Sequence, residues 1–308
     1  MPNHRLTSFL CVALLICVAA CGGSAVKSSA GSTPSPAHGV AQHGSLTVAG
    51  LKRTYRLYIP PSLDPKQLSP LVFVLTGCPG TGDEMADLTH ADDIATAGGF
   101  VVAYPDPVPD ASGDPTNLEG CWNAGTCCGD AQTRGIDDVR FISSLLDRLI
   151  ANTPVDKTRV FVAGLSAGGM MAYRLACQLS NRLVAIASVS GAQVINTCSP
   201  ARSISILEMH GTDDSRLPYA GDQYFPSTIS TIQRWVALGV CATAPTKTVN
   251  GITNTSLWSQ CRAGTTVRFD TVTGGHHSWF GSDMDPVLGE PNANAVVWDF
   301  FKNLAARP

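Results

Sequence analysis

The sequence predicts an α/β protein in which a mostly parallel sheet is covered by helices on both faces. Apolar, β-branched segments bounded by turn residues alternate along the chain with segments whose apolar residues recur at helical spacing. The chain has 308 residues, of which 44% are hydrophobic and 15% charged, so it can bury one large core. Its net charge of -3, without a Lys/Arg-rich run, argues against a nucleic-acid partner.

Residues 1–20 have the pattern of an export signal. Arg5 precedes an apolar run that is too short to span a bilayer, and small residues stand directly before Cys21. The run Val18-Ala19-Ala20-Cys21 resembles a bacterial lipobox, which makes Cys21 a candidate lipidation site and the protein a candidate membrane-anchored lipoprotein facing outside the cytoplasm. An ordinary signal peptide cut near the same place is the alternative.

Residues 21–42 are rich in Gly, Ser and Pro and predict a flexible linker, which leaves 43–308 as the folded domain. The domain opens with a predicted hairpin formed by SLTVAG and RTYRLYIP. Further strands are predicted at PLVFVLTG, GFVVAYPD, RVFVAG, LVAIASVSGA, SISILEMHG and TVRFDTVTG. Helices are predicted at 84–97, 137–152, 167–180, 229–238 and 293–305.

A serine lies at the sharpest predicted turn. Gly164-Leu165-Ser166-Ala167-Gly168 matches G-x-S-x-G, in which a strand turns into a helix and lifts the serine Oγ clear of the backbone. The glycines are needed because side chains there would collide across the turn. The pattern alone is weak, but a strand-like segment precedes it and a helix-like segment follows it, so Ser166 is predicted to be a nucleophile.

A serine nucleophile needs a histidine base and an acid that orients the base. With this turn, the acid and the histidine are expected after the serine, in that order and each behind a strand. Asp213 and Asp214 follow one predicted strand, and His276 and His277 follow the next. These loops are expected at the sheet edge where sites of α/β proteins gather. Spacing does not decide which member of each pair acts.

The cysteine count predicts disulfides. Of eleven cysteines, Cys11 and Cys17 belong to the signal and Cys21 to the lipid site, which leaves an even number in a compartment that oxidises thiols. We predict that Cys241 pairs with Cys261, because closing the short segment between them would secure the region before the last strand. Zinc at CWNAGTCC is disfavoured, because its cysteines lack C-x-x-C spacing and a nearby histidine pair.

Four segments of the chain form a joint pattern: GLSAGGMMAY, HGTDDSRLPY, CWNAGTCCG with DDVRFI, and GGHHSWFG. Together they resemble the exported poly(3-hydroxybutyrate) depolymerase and feruloyl esterase-like hydrolases, especially their lipoprotein branch. The resemblance covers nearly all of residues 44–304 and implies the α/β-hydrolase fold and a serine esterase. The family pattern H-G-T-x-D implies Asp214 as the acid, and G-G-G-H-x-W implies His277 as the base.

The resemblance also implies an oxyanion site. In the family, the oxyanion is bound by the backbone N–H after the H-G pair that follows the third strand and by the N–H after the nucleophile, here Cys78 and Ala167. This chain has Thr76 where the family has histidine, His276 where it has a third glycine, and Phe280 where proline is usual. Backbone donors tolerate such changes of side chain.

Two tryptophans are candidate substrate-binding residues. Trp279 lies two residues after His277, and Trp122 lies in the cysteine-rich segment, so each could offer a flat apolar surface to an aryl or acyl group, although simple packing is the alternative. The proposed chemistry needs no metal and no organic cofactor. Residues 77–84 lack the Lys-Ser/Thr ending of a phosphate-binding loop, so no nucleotide is expected.

The expected substrate is a small soluble aryl or short-acyl ester. The sequence ends at Pro308, soon after the last predicted helix, which leaves no length for a polymer-binding module, and the tether would hold the site near the membrane. The alternatives are a polyhydroxybutyrate depolymerase proper, a peptidase on the same fold, and a lipoprotein that binds an envelope ligand without turnover. Thr76 and His276 are the features that keep the last alternative open.

Overall fold

A mixed sheet forms the centre of the molecule. The computed structural model describes residues 39–111 and 119–307, so the predicted signal, Cys21 and most of the predicted linker lie outside the described residues. Within the described residues, ten strands form the main sheet: β1 (Gln42–Val48), β2 (Leu51–Tyr58), β3 (Ser69–Leu75), β4 (Val101–Pro105), β7 (Val155–Leu165), β8 (Ala185–Val189), β9 (Ser205–Gly211), β10 (Thr246–Asn250), β11 (Thr253–Trp258) and β12 (Val267–Val272). The short strands β5 (Val108–Pro109) and β6 (Gly120–Cys121) pair separately.

The order of strands across the main sheet is β1-β2-β4-β3-β7-β8-β9-β12-β11-β10. The six strands from β4 to β12 in this order run parallel to one another. Antiparallel strands extend both edges, the hairpin β1–β2 beside β4 and the pair β11–β10 beside β12. The predicted opening hairpin and the mostly parallel sheet are therefore confirmed.

Helices cover both faces of the sheet, which confirms the predicted fold class. They are α1 (Gly82–Thr89), α2 (Ala91–Gly98), α3 (Gly129–Thr133), α4 (Asp138–Asn152), α5 (Ala167–Gln178), α6 (Thr228–Leu238) and α7 (Ala293–Lys302). Buried apolar residues of α4, α5 and α6 pack on one face of the sheet, and those of α1, α2 and α7 pack on the other. Because the apolar side chains recur at helical spacing, each helix presents one apolar side to the sheet and shields that face of the sheet from water.

Two sequence predictions of elements are corrected. The single helix expected over residues 84–97 is two helices, because His90 adopts a left-handed conformation with φ of 48° and its N–H caps α1 on Ala86 O. No glycine or proline marks this break. The strands β10 and β11 were not predicted, because β10 is exposed at every position and neither strand has the apolar alternation of a half-buried strand.

A buried ion pair joins the opening hairpin to α4. Arg53 Nη2 donates to Asp138 Oδ1 at 2.7 Å, and both side chains are almost fully buried. The second oxygen of Asp138 accepts the backbone N–H of Asn123 at 2.8 Å, and the guanidinium of Arg53 stacks 3.9 Å from the centre of the Phe141 ring. Burial raises the pKa of Asp138, although Arg53 opposes that shift.

Four disulfides cross-link the described residues. The predicted pair Cys241–Cys261 is confirmed. The other three are Cys78–Cys121, Cys127–Cys128 and Cys177–Cys198. Cys127 and Cys128 are adjacent in the sequence, whereas the partners of the other two bonds are 43 and 21 residues apart and meet only in the folded chain.

Candidate active site

Ser166 occupies a sharp turn between β7 and α5. Its φ of 56° and ψ of -118° are strained for a residue with a Cβ, and the conformation exposes the side chain at the strand end. An added Cβ on Gly164 would meet the backbone of Gly168, and one on Gly168 would meet the carbonyl of Leu75. The motif's glycines are thus required by the close approach of α5 to β7 and β3.

Asp214 and His277 meet at the carboxyl ends of β9 and β12, which are adjacent strands. His277 Nδ1 donates to Asp214 Oδ2 at 2.8 Å. The other carboxylate oxygen of Asp214 accepts the backbone N–H groups of Arg216 at 2.9 Å and Leu217 at 2.8 Å. With its proton on Nδ1, the His277 ring has Nε2 open to accept a proton.

The carboxyl group of Asp214 is held in its charged form. Burial would raise its pKa, but the hydrogen bond and charge of His277, the Leu217 N–H and the charge of His210 together lower it. A charged, fixed acid of this kind holds a histidine in one tautomer.

Ser166 and His277 line one cavity of about 370 Å³. Its other lining residues include Met85, Leu88 and Met284, which give it an apolar wall. Within the described residues, no hydrogen bond joins Ser166 Oγ to His277. Such bonds are commonly long without substrate and tighten when substrate is bound.

The loop after β3 lies directly against Ser166. A Cβ added to Gly77 would lie 3.6 Å from the Ser166 Cβ, and Cys78, the next residue, lines the same cavity. The Cys78 and Ala167 N–H groups donate no hydrogen bond within the described residues, and Ala167 opens α5, where helix N–H groups are unpaired. The two donors expected for an oxyanion therefore flank the serine.

A disulfide holds this loop in place. Cys78 is bonded to Cys121, and the next residue, Trp122, donates its indole N–H to the Thr76 carbonyl at 3.0 Å. The cysteine-rich segment thus braces both ends of the short turn that carries the Cys78 N–H.

The neighbouring aspartate and histidine lie elsewhere. Asp213 is exposed and accepts from the Thr212 hydroxyl at 2.9 Å. His276 is 42% exposed, and its Nδ1 lies 3.1 Å from Asp285 Oδ2 without hydrogen-bond alignment. Neither residue lines the Ser166 cavity.

Neither candidate tryptophan lines the Ser166 cavity, which corrects that expectation. Trp122 is 0% exposed and packs in the core beneath the Thr76 carbonyl. Trp279 is 2% exposed and donates to Asn294 Oδ1 at 3.1 Å on α7. Both indoles are bound to groups within the protein, so the packing alternative holds for each.

Sequence reasoning missed most of the cavity wall. Met85 and Leu88 come from α1, Met284 from the loop after β12, and the charged residues Glu84 and Arg216 lie at the rim. No motif marks these positions, because loops and helices that are remote in sequence converge there.

The described part of the chain has no helix long and apolar enough to cross a membrane. Over the same residues, no group of three or more His, Cys, Asp or Glu side chains is placed to hold a metal ion.

Comparison with known proteins identifies a family match. The family model described as "Esterase PHB depolymerase" matches residues 53–216, a range that includes Ser166 and Asp214 and ends before His277. Feruloyl esterase D of Neurospora crassa is 27% identical over 97% of this chain and 97% of its own length.

Two other relatives are longer proteins. Feruloyl esterase B of Piromyces equi is 28% identical over 67% of this chain, and a bifunctional acetylxylan esterase/xylanase of Neocallimastix patriciarum is 25% identical over 82% of it. The aligned parts span only 37% and 33% of those two proteins.

Solved structures share the fold. The acetyl xylan esterase from Aspergillus awamori superposes with a TM-score of 0.59 at 18% identity, covering 84% of this chain and 99% of that one. A ferulic acid esterase from Anaeromyces mucronatus gives a TM-score of 0.55 at 14% identity, covering 86% and 90%. The chain thus has the α/β-hydrolase fold.

Proposed function

Since the chain belongs to the PHB depolymerase esterase family, we propose that it is a serine carboxylic-ester hydrolase whose nucleophile is Ser166. The observation that carries the proposal is the common cavity of Ser166 and His277, with His277 bonded to the charged Asp214 behind it. A strained serine, an oriented histidine and two open N–H groups are the parts that acyl transfer requires.

In the proposed mechanism, Ser166 Oγ attacks the ester carbonyl while His277 Nε2 takes the hydroxyl proton. The Cys78 and Ala167 N–H groups bind the negative oxygen of the tetrahedral intermediate, and the N-terminal end of α5 adds a favourable dipole. His277 then gives its proton to the leaving alcohol, which leaves an acyl group on Ser166. Water, deprotonated by His277, attacks this acyl-enzyme, and collapse releases the acid and restores the serine.

The proposed substrate class is a small soluble aryl or short-acyl ester. The cavity of about 370 Å³ has an apolar wall of Met85, Leu88, Leu165 and Met284, which suits an acyl or aryl group of limited size. The names of the feruloyl and acetylxylan esterases among its relatives support ester chemistry.

The proposed location is outside the cytoplasm. The four disulfides favour a thiol-oxidising compartment, and the N-terminal pattern with Cys21 supports export with a lipid anchor to the cell membrane. No nucleic acid partner is proposed.

A substrate panel tests the proposed function. The purified protein is expected to hydrolyse p-nitrophenyl acetate and a methyl hydroxycinnamate, and to leave the matched acetanilide intact. Comparison with soluble hydroxybutyrate oligomers and a polyhydroxybutyrate film tests the substrate class. Preference for the anilide would identify a peptidase, clearing of the film with poor turnover of the small esters would identify a depolymerase, and binding without turnover would exclude an enzyme.

A further inference from the structure

A second buried histidine lies behind the proposed acid. Glu208 and His210 point to the same face of β9 and are 0% and 1% exposed. His210 Nδ1 lies 3.0 Å from Glu208 Oε1, and His210 Nε2 lies 2.9 Å from the Leu217 carbonyl oxygen and 3.4 Å from Asp214 Oδ2. The mechanism above uses none of the Glu208 and His210 atoms.

The Glu208–His210 pair holds one proton more than a neutral histidine beside an ionised carboxylate would hold. The Leu217 carbonyl can only accept, so His210 Nε2 carries a hydrogen. If His210 were neutral and Glu208 ionised, a bare Nδ1 would face a bare carboxylate oxygen at 3.0 Å, which is repulsive. A proton therefore lies between His210 Nδ1 and Glu208 Oε1.

The surroundings favour this proton on His210. Tyr173 on α5 donates its hydroxyl to Glu208 Oε2 at 2.8 Å, so both oxygens of an ionised Glu208 receive a donor. The negative Asp214 lies on the other side of the ring and favours a positive His210. Among the residues that the structure describes, the other titratable side chain against the ring is Tyr219, 6.3 Å away between ring centroids. The neighbouring strands place Thr271 opposite His210 and Ser188 opposite Glu208.

The pKa directions of His210 and Tyr173 agree with this assignment, whereas burial raises the pKa of Glu208 and opposes it. We place the proton on His210 because both oxygens of Glu208 face a donor, an arrangement that suits a carboxylate. Burial would lower the pKa of His210, but the hydrogen bond and charge of Glu208 outweigh burial and raise it. Burial also raises the pKa of Tyr173 well above its usual range, which keeps that hydroxyl a donor. The acidic Asp270 lies on the opposite face of the sheet, where Arg268 binds it at 2.7 Å.

We propose that Glu208 and His210 form a buried ion pair whose imidazolium faces Asp214, and that this positive charge sets the position of the acid-side limb of the pH profile of kcat/KM. This inference rests on the proposed function, because it assigns His277 as the base. Glu208 and His210 are positioning residues, since neither lines the Ser166 cavity.

The direction of the effect follows from charge. His210 and His277 both approach the same oxygen of Asp214, Oδ2, at 3.4 Å and 2.8 Å, so a positive His210 offsets part of the negative charge that faces His277. Removing that positive charge leaves the full negative charge of Asp214 to act on His277. The acid-side limb of the kcat/KM profile is then expected to move to higher pH, while the alkaline plateau changes little.

The test measures kcat/KM for p-nitrophenyl acetate from about pH 5 to about pH 9 for the mature protein and three variants. Glu208→Gln keeps the side-chain shape but removes the charge that holds the proton on His210, and His210→Gln removes the ring. Both are expected to move the acid-side limb upward by about half a pH unit or more. His276→Gln is the matched control, because it removes the exposed neighbour of His277. The acid-side limb of the kcat/KM profile of this variant is expected to stay at the wild-type pH.

A spectroscopic measurement on the wild-type protein keeps the inference testable if a variant fails to fold. ¹⁵N NMR of the histidine rings is expected to show both nitrogens of His210 protonated at about pH 8, well above the ordinary range for histidine. A neutral His210 ring, or limbs that stay in place in both variants while the wild type hydrolyses esters, would overturn the inference. A wild type that hydrolyses no ester would instead overturn the proposed function, and the NMR result would still decide the charge of His210.

Discussion

His277 Nδ1 lies 2.8 Å from Asp214 Oδ2, although 63 positions separate the two residues along the chain. The contact forms because β9 and β12 are neighbours and both residues follow the carboxyl end of their strand. One residue earlier, His276 lies beside Asp285 and away from the cavity. The two adjacent histidine side chains therefore have different surroundings, and of the two only His277 lines the cavity that contains Ser166.

Ser166→Ala is expected to abolish covalent labelling by a fluorophosphonate probe and to lower kcat by about a million-fold, because no other residue replaces the attacking oxygen. Peptide mapping after labelling of the wild type checks the position. Labelling that persists in the variant would show that the reactive serine is a different one.

His277→Ala is expected to lower kcat by about a million-fold, as much as Ser166→Ala, since the proposed base and its bond to Asp214 are lost together. The matched change His276→Ala removes a half-exposed ring outside the cavity and is expected to alter kcat/KM by about two-fold or less. Initial rates on an aryl acetate measure both. If His276→Ala proved the more damaging, the base would be His276.

The double change Cys78→Ser with Cys121→Ser is expected to lower kcat about ten-fold or more, because the loop that carries the Cys78 N–H would lose its brace. Cys177→Ser with Cys198→Ser is the control, since that disulfide lies at the far end of α5.

Both disulfide variants are expected to lose stability by similar amounts, about 4 kcal/mol for the pair 43 residues apart and about 3 kcal/mol for the pair 21 residues apart. Urea unfolding measures this loss, and kcat at saturating substrate measures the activity. Equal losses of kcat in the two variants would mean that the Cys78–Cys121 bond acts only through stability.

Arg53→Met is expected to destabilise the fold by about 3 kcal/mol or more at neutral pH, because Asp138 would remain buried without its partner. The loss is expected to be smaller at about pH 5 than at about pH 8. The raised pKa of Asp138 in the folded state lets it take up a proton as the pH falls, which removes the uncompensated charge.

Urea unfolding at the two pH values measures the effect of Arg53→Met. Arg182→Met serves as the comparison, because its partner Asp147 is 68% exposed, and that change is expected to cost about 1 kcal/mol or less. A pH-independent loss for Arg53→Met would mean that packing on Phe141, and not charge, accounts for the role of the arginine.

Cys21→Ser is expected to move the protein from the membrane fraction to the soluble fraction, because stable attachment requires acyl chains on that cysteine. Fractionation of the native host and mass spectrometry of the mature N-terminus check this. An unmodified Cys21 in the mature protein would exclude the lipid anchor.

The sequence predicted the parts of the fold that depend on local pattern. β3, β4 and the second half of β7 (residues 160–165) are mainly apolar and buried, and the turn at Ser166 is marked by its glycines. β10 was missed because it is exposed at every position, and β11 was missed because its largely half-buried residues carry no apolar alternation. The break at His90 was missed because a left-handed histidine leaves no signal in sequence.

The candidate site was predictable where a motif accompanies a strand end, as at Asp214 and His277. Trp122 and Trp279 were assigned wrongly, because sequence cannot distinguish an indole packed in the core from one that lines a cavity. Glu208 escaped notice for a related reason. A charged residue in the middle of a strand is ordinarily expected to face solvent, and only the assembled sheet shows its partners His210 and Tyr173.

The loop between β12 and α7, residues 273–292, contains no helix or strand, yet it supplies both His277 and Met284 of the cavity wall. In evolution or directed selection, the part of this loop after Phe280, whose side chains are exposed or half-buried, can change in length and sequence without disturbing the sheet. Substrate preference can therefore diverge quickly between descendants that keep the same chemistry. The buried residues Ser278, Trp279 and Phe280 hold the segment next to His277 in place, so variation that reshapes the wall without displacing the proposed base is expected to concentrate from residue 281 onward.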